Sequence, residues 1–302
     1  MFVKLKIIST LIFLGIFALG FGFYIGKYQH FHESQNTQLI FLSVGQGDCT
    51  FFQHQGYHVL IDAGPKTEWI DAAQKLIIPQ LLKEGVRTID LLLLSHPDMD
   101  HIGGLQSLSK QFKIGTVCIP SIFKKDPFMN QMLKIADIKP AQILWVHEYL
   151  EAKVGAFSID LLEPIHKPNE PDNDGSLFVK LSSKNRSAVF TGDASSIKEI
   201  QMISYLPSWK ADILKAGHHG SRHSTSEEWL KAIQPKYVIL SSGINNSYHH
   251  PHPKVLQRIS KSGALHLRTD QLGSIKFKLI KERWTLINSA SQHSKQLLHD
   301  AQ

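Results

Sequence analysis

The stretch from Asp90 to Gly104 constrains this chain more than any other. Leu91, Leu92, Leu93 and Leu94 form a short apolar run of the kind that fits a fully buried strand. The run stops at Ser95, and His96, Asp98, Asp100 and His101 follow within six residues. Pro97 cannot continue a sheet ladder, so the chain must leave the strand there. The four side chains are then expected on a loop just past a strand end, where buried architecture meets solvent. Imidazole and carboxylate are the ligands of catalytic metal sites that keep a position open for water. A polar turn between strand and helix accounts for Asp and Gly, but not for two His and two Asp at this spacing.

The pattern H-x-D-x-D-H, followed by Ile102-Gly103-Gly104, resembles the signature of the metallo-β-lactamase superfamily, whose common form is H-x-H-x-D-H. Asp98 at the second ligand place resembles a narrower group, the metallo-hydrolase domain of ComEC-type DNA-uptake (competence) proteins and its stand-alone relatives. Other segments carry the same likeness. They are Val44-Gly45-Gln46-Gly47-Asp48, Asp62-Ala63-Gly64, the Asn173 to Leu177 turn, Thr191-Gly192-Asp193, His218-His219-Gly220-Ser221 and Asn246-Ser247-Tyr248-His249-His250-Pro251. In the last of these His249 stands where the group has glycine, a residue suited to positive φ. The resemblance covers roughly residues 39–280.

The resemblance implies an α+β fold, the four-layer αββα sandwich, with its metal site at the sandwich edge. It implies two divalent metal ions, zinc or manganese. The oxygen-rich set created by Asp98 moves the preference towards manganese without excluding zinc. The implied ligands are His96, Asp98, Asp100, His101, Asp193 as a bridge, and His218, with His250 as a second candidate for the last place. Many members put a third histidine ligand before the strand that begins near Leu177. This chain has none there, so one metal position is expected to be weakly held. Asp100, His219 and His250 are assigned to catalysis. Asn173, Ser176 and Ser221 are assigned to substrate, and Asp48 and Asp62 to accepting hydrogen bonds from ligand histidines.

Composition sets the frame for these motifs. In 302 residues, 42% are hydrophobic and 20% charged, so most of the chain is expected to pack into a core. Cys49 and Cys118 form no C-x-x-C pair, which excludes a disulfide scaffold or a cysteine zinc cluster. A net charge of +7 with His neutral suits an anionic partner, nucleic acid or anionic lipid. Residues 7–26 carry no charge, with Lys4 and Lys6 before them and Lys27 after. That length spans a bilayer as a helix, and the flanking lysines favour a cytoplasmic N-terminus. Residues 1–27 are therefore read as a membrane anchor or signal segment, with the domain on the outer, periplasmic side of the inner membrane. Secretion after cleavage is the alternative. Residues 28–38 read as a linker, 39–288 as the hydrolase domain and 289–302 as a polar tail.

Between the motifs, the apolar spacing predicts an amphipathic helix over 68–84, interrupted by Pro79, and another over 101–112. Short strands are expected at 114–119, 142–146 and 157–162, with a helix at 127–136 between the first two. Lys215 reads as exposed, and Ser224 to Glu227 as a helix cap. The expected activity is metal-assisted hydrolysis by an activated hydroxide, acting on a DNA phosphodiester. A carbonyl hydrolase of lactonase or β-lactamase type, and a non-catalytic metal-binding domain at the membrane, are the alternatives. No protein partner is inferable.

Overall fold

In the first strand, β1 (Gln38–Phe41), every residue is buried, and neighbouring side chains enter different cores. Leu39 and Phe41 join one apolar cluster and Ile40 another, because successive strand residues point to opposite faces. The same split separates Phe52 from Phe51, Val59 and Ile61 from Leu60, Ile213 from Leu214, and Ile239 from Val238. Strands covered on both faces require four layers, and the computed structural model has them. It describes residues 37–184 and 186–287.

The first sheet holds β1, β2 (Thr50–His54), β3 (Tyr57–Ile61), β4 (Thr88–Leu93), β5 (Lys113–Pro120), β6 (Ile143–Val146), β14 (Ile275–Ile280) and β15 (Arg283–Leu286). Its order is β15-β14-β1-β2-β3-β4-β5-β6, parallel from β3 to β6. The second holds β7 (Tyr149–Val154), β8 (Phe157–Leu162), β9 (Phe178–Ser183), β10 (Arg186–Phe190), β11 (Ile213–Lys215), β12 (Tyr237–Leu240) and β13 (Leu265–Arg268). Its order is β13-β12-β11-β10-β9-β8-β7, parallel from β10 to β13.

One cluster fills the space between the sheets. A second lies under the helices Ile78–Lys83, Leu105–Gln111 and Pro127–Ile135, through Leu81, Leu105, Leu108, Met129 and Met132. The third lies under Ser196–Met202, Glu227–Ile233 and Pro253–Lys261, where Trp229 packs on Trp209 and Phe178 with ring centroids 4.9 and 5.7 Å away. Each large apolar side chain fully buried this way contributes about 1.5–3 kcal/mol. The loops after β3, β4, β10, β11 and β12 all leave carboxyl ends of parallel strands, the usual place for a ligand crevice in open sheets.

Three local expectations change. The helix over 68–84 begins only at Ala73, as a wide π turn (Ala73–Ile77) running into Ile78–Lys83. Upstream, the Thr67 hydroxyl accepts the amides of Trp69 and Ile70, and Asp71 accepts that of Gln74. Such bonds compete with helix formation, and they leave Trp69 83% exposed on a loop. The helix over 101–112 divides into Met99–Ile102 and Leu105–Gln111. At the break, Gly103 and Gly104 pack so closely on Lys66 and Ala63 that no side chain fits. Strand β7 went unread, although Leu150, Ala152 and Val154 alternate before the Gly155 turn. No helix among the described residues is long and apolar enough to cross a membrane. The uncharged segment 7–26 and the tail 289–302 lie outside the described residues.

Candidate metal centre

From the first sheet, β4 delivers Ser95 beside Asp62, the residue that follows β3. Asp62 holds a left-handed backbone (φ 61°) and accepts three bonds. They come from the Ser95 amide (2.8 Å), the Ser95 hydroxyl (2.9 Å) and Nδ1 of His101 (2.8 Å). The last bond fixes the His101 tautomer and leaves Nε2 to face the site. Such carboxylate–imidazole pairs orient metal ligands. His96 is fully buried, with Nδ1 2.9 Å from the Ser95 hydroxyl and Nε2 3.4 Å from Asp98 Oδ2.

The second sheet supplies the rest. Asp193 follows β10 after Gly192, whose φ of 49° brings it against Ser176 and Ser95, with no room for a Cβ. The Asp193 amide donates to the Ser176 hydroxyl (3.0 Å). After β11 both His218 and His219 are left-handed (φ 45° and 54°), a conformation rare outside glycine and typical of functional sites. That winding turns His219 inward. Its Nε2 lies 3.2 Å from Asp100 Oδ2 and 3.4 Å from Asp193 Oδ2, while Nδ1 lies 3.0 Å from the Ser241 carbonyl. His101 Nε2 lies 3.3 Å from Asp193 Oδ1. One ligand atom each from Asp100, His101, Asp193 and His219 falls within 4.8 Å of the others.

Both neighbouring histidines face Asp193, and they differ in setting. His219, assigned to catalysis, is in the four-residue cluster. His218, assigned to the metal, has a 37% exposed side chain, with Nε2 3.6 Å from Asp193 Oδ2. The His250 ring stands 5.7 Å from that of His218, and its Nδ1 is buried without a partner. His249 takes φ 55°, so histidine adopts the turn for which glycine was expected. Asp98, 42% exposed, stays with His96 at the side of the cluster.

Two residues assigned to substrate are buried in the structure. Ser176 is fully buried and holds the Asp193 loop. Ser221 is buried in the turn after His219, its amide donating to the His218 carbonyl (2.8 Å). Asn173 is partly buried, and its carbonyl accepts the Ser176 amide (3.1 Å). Asp48 lies behind His219, with Oδ1 3.4 Å from Nδ1.

Charge dominates the setting. Asp48, Asp62 and Asp193 are buried together. Burial pushes the Asp193 carboxyl up, but His219 and His101 outweigh it and hold it well below the usual carboxylate range. Burial likewise favours neutral His219, yet Asp193 and Asp48 lift it to about 10. His250 goes the other way, to about 4, through burial and the nearby His219 and His218. A divalent cation suits this arrangement better than protons do. Nε2 of His96, Nε2 of His101 and Oδ1 of Asp193 are buried with no hydrogen-bond partner. Buried polar atoms without partners are rare, and these three belong to residues of metal-ligand chemistry.

Comparison with known proteins agrees with this geometry. The Metallo-beta-lactamase superfamily profile matches residues 42–243. The chain is 34% identical over 258 residues to ComE operon protein 3 of Bacillus subtilis, covering 81% of this chain and 33% of that protein. It is 31% identical over 238 residues to Competence protein ComA of Neisseria gonorrhoeae, covering 78% of this chain and 31% of that one. It therefore spans about a third of the length of these relatives. Among solved structures, the metallo-beta-lactamase fold protein YhfI of Bacillus subtilis is similar, with a TM-score of 0.54 and 15% identity. The match covers 80% of this chain and 99% of that one. With its four-layer sandwich, its strand-end His and Asp cluster and a profile match over most of its length, the chain belongs to the metallo-β-lactamase superfamily.

Proposed function

We propose that the chain is a metal-dependent phosphodiesterase acting on DNA. The observation that carries the hydrolase part is the convergence of Asp100, His101, Asp193 and His219, with partnerless buried atoms among them. These four residues would hold one divalent ion. His96 and Asp98, with Asp193, would hold a second, manganese or zinc. A bound ion acidifies water and neutralises charge developing on the reacting oxygens.

The chain's own groups supply the remaining parts. Asp62 holds the His101 ring and Ser176 holds the Asp193 loop. His218 and His250 line the mouth, and burial lowers the pKa of both. Each is then neutral at pH 7 and can donate a ring N–H hydrogen bond to a phosphate oxygen or accept a proton from attacking water. Asn246 fixes His250 through its amide (2.9 Å) and carbonyl (2.6 Å).

Three further observations support DNA as substrate. The chain is similar to Competence protein ComA. Its net charge is +7. Trp69 and Tyr248 stand exposed, and exposed aromatic faces stack nucleobases. On the same reading, residues 7–26 anchor the domain to the outer face of the inner membrane, where protease added to spheroplasts would reach it.

The test is hydrolysis of linear single-stranded DNA by the full chain with added Mn²⁺, beside duplex DNA and a chromogenic β-lactam. DNA cleavage that Asp193→Ala abolishes is the expected result. Turnover of the β-lactam alone would favour a carbonyl hydrolase, and turnover of none would favour a non-catalytic metal-binding domain.

A further inference from the structure

One charged group at the centre has no place in the chemistry above. Lys215 ends β11, which is paired on both sides by β10 and β12, and it is only 5% exposed. A lysine there cannot extend to water, so its charge has to be answered inside the protein. Its Nζ donates to the Asp48 carboxylate and to the Ala216 carbonyl (3.0 Å). The other Asp48 oxygen, Oδ1, is the one 3.4 Å from His219 Nδ1. A continuous chain of contacts therefore runs from Lys215 through Asp48 to His219, and ends at the Nε2 that faces Asp100 and Asp193.

The surroundings give this chain direction. The Asp48 amide donates to the Asp100 carbonyl (3.2 Å), and the Ser241 hydroxyl donates to the Gly47 carbonyl (2.8 Å). The turn bearing Asp48 is thus tied to the ligand loop and to the carbonyl strand behind His219. Lys215 also borders a small enclosed chamber lined by Asp48, Thr50, Asp62, Ser95 and Gly192. It is the one cation in that lining, which also holds Asp62, the carboxylate bonded to His101. Without it, Asp48 would keep a buried charge answered only by an imidazole, an arrangement that costs several kcal/mol. The turn would then have to move or take up water, and His219 would lose its fixed orientation.

We infer that Lys215 is a positioning residue of the metal centre. Through Asp48 it holds His219 with Nε2 turned to the ion. The inference concerns ion binding and does not depend on DNA being the substrate.

The experiment compares the full chain with Lys215→Met, Lys215→Arg and the double variant Asp48→Asn/Lys215→Met. Affinity for Mn²⁺ and Zn²⁺ is measured by competition with a chromophoric chelator, and folding by thermal denaturation. Residues that orient metal ligands typically change affinity by roughly tenfold to a hundredfold. Lys215→Met is expected to lose at least about tenfold in affinity, and Lys215→Arg to recover part of it. The double variant, freed of the unpaired charge, is expected to regain thermal stability while its metal affinity stays low. An ion pair that merely fastens β11 to the Asp48 turn would behave otherwise. Folded Lys215→Met, or the double variant where the single one does not fold, would then bind metal like the wild type, and that result overturns the inference. Absence of binding by the wild-type chain would overturn the metal centre with it.

Discussion

Replacing Ser176 by alanine separates the structure's account of this residue from a substrate-contacting role. Its hydroxyl is fully buried and accepts the Asp193 amide at 3.0 Å. Alanine removes that acceptor and leaves the Asp193 N–H, itself in a residue only 3% exposed, with nothing to bond. Leaving such a donor unsatisfied costs about 1–3 kcal/mol. The lost oxygen is small, so packing adds little, and about 2 kcal/mol is the expected total. For a domain of this size each kcal/mol shifts Tm by roughly 2–4 °C, so Tm should fall by about 4–8 °C. The Asp193 loop should loosen as well, and metal affinity should drop modestly. Thermal denaturation with and without metal, beside steady-state kinetics, provides the assay. A Tm unchanged within 1 °C or so, with KM alone raised, would return Ser176 to the substrate and refute the reasoning.

Three other outcomes follow from the same geometry. His219→Ala should lose bound metal while His218→Ala keeps most of it, measured as metal content after gel filtration; the opposite pattern would reinstate His218 as the ligand. At Gly104 an added Cβ would run into the Ala63 carbonyl and stand 2.6 Å from Ala73 Cβ. Gly104→Ala should therefore cost about 3 kcal/mol or prevent folding, and an unchanged denaturant midpoint would count against that close approach. Glu199 is fully buried, and burial lifts its carboxyl from 4.5 to about 7, against the bonds it accepts from Thr225 (2.6 Å) and Ser226 (2.8 Å). A raised carboxyl contributes its stability in full below its unfolded pKa, and that contribution is lost as pH rises through about 7. The loss is at most about 3 kcal/mol. Glu199→Gln should flatten the fall in stability between those pH values, and equal slopes in the two proteins would dismiss the effect.

Much of the centre was legible because metal chemistry uses few residue types at tight spacing. The run from His96 to His101 and the strand-end Asp193 declare themselves in one dimension. The fold was legible for a related reason. The same motifs carry the resemblance that implied the four-layer sandwich, and apolar runs such as Leu91 to Leu94 fit its buried strands. Trp69 and Ile70 were misplaced because helical spacing of apolar residues says nothing about the Thr67 and Asp71 side chains, which compete for the same amides. The break at Gly103 was missed because its cause, the backbone of Lys66 and Ala63, lies about 40 residues away in the chain.

The sequence by itself determined which residues are available to bind a metal and which strand ends carry them, because both depend on residue type and local order. It could not decide between His218 and His219, which are adjacent and chemically identical. Their different settings come from two left-handed backbone positions and from the Ser241 carbonyl and Asp48 carboxylate behind the His219 ring. It could not place Ser176 beneath Asp193 or Lys215 inside the protein either. A hydroxyl before a strand and a lysine at a strand end look solvent-facing until the neighbouring strands are known. Only the packing of β11 between β10 and β12, and of one sheet on the other, takes water away from those two groups and leaves each the partner it has.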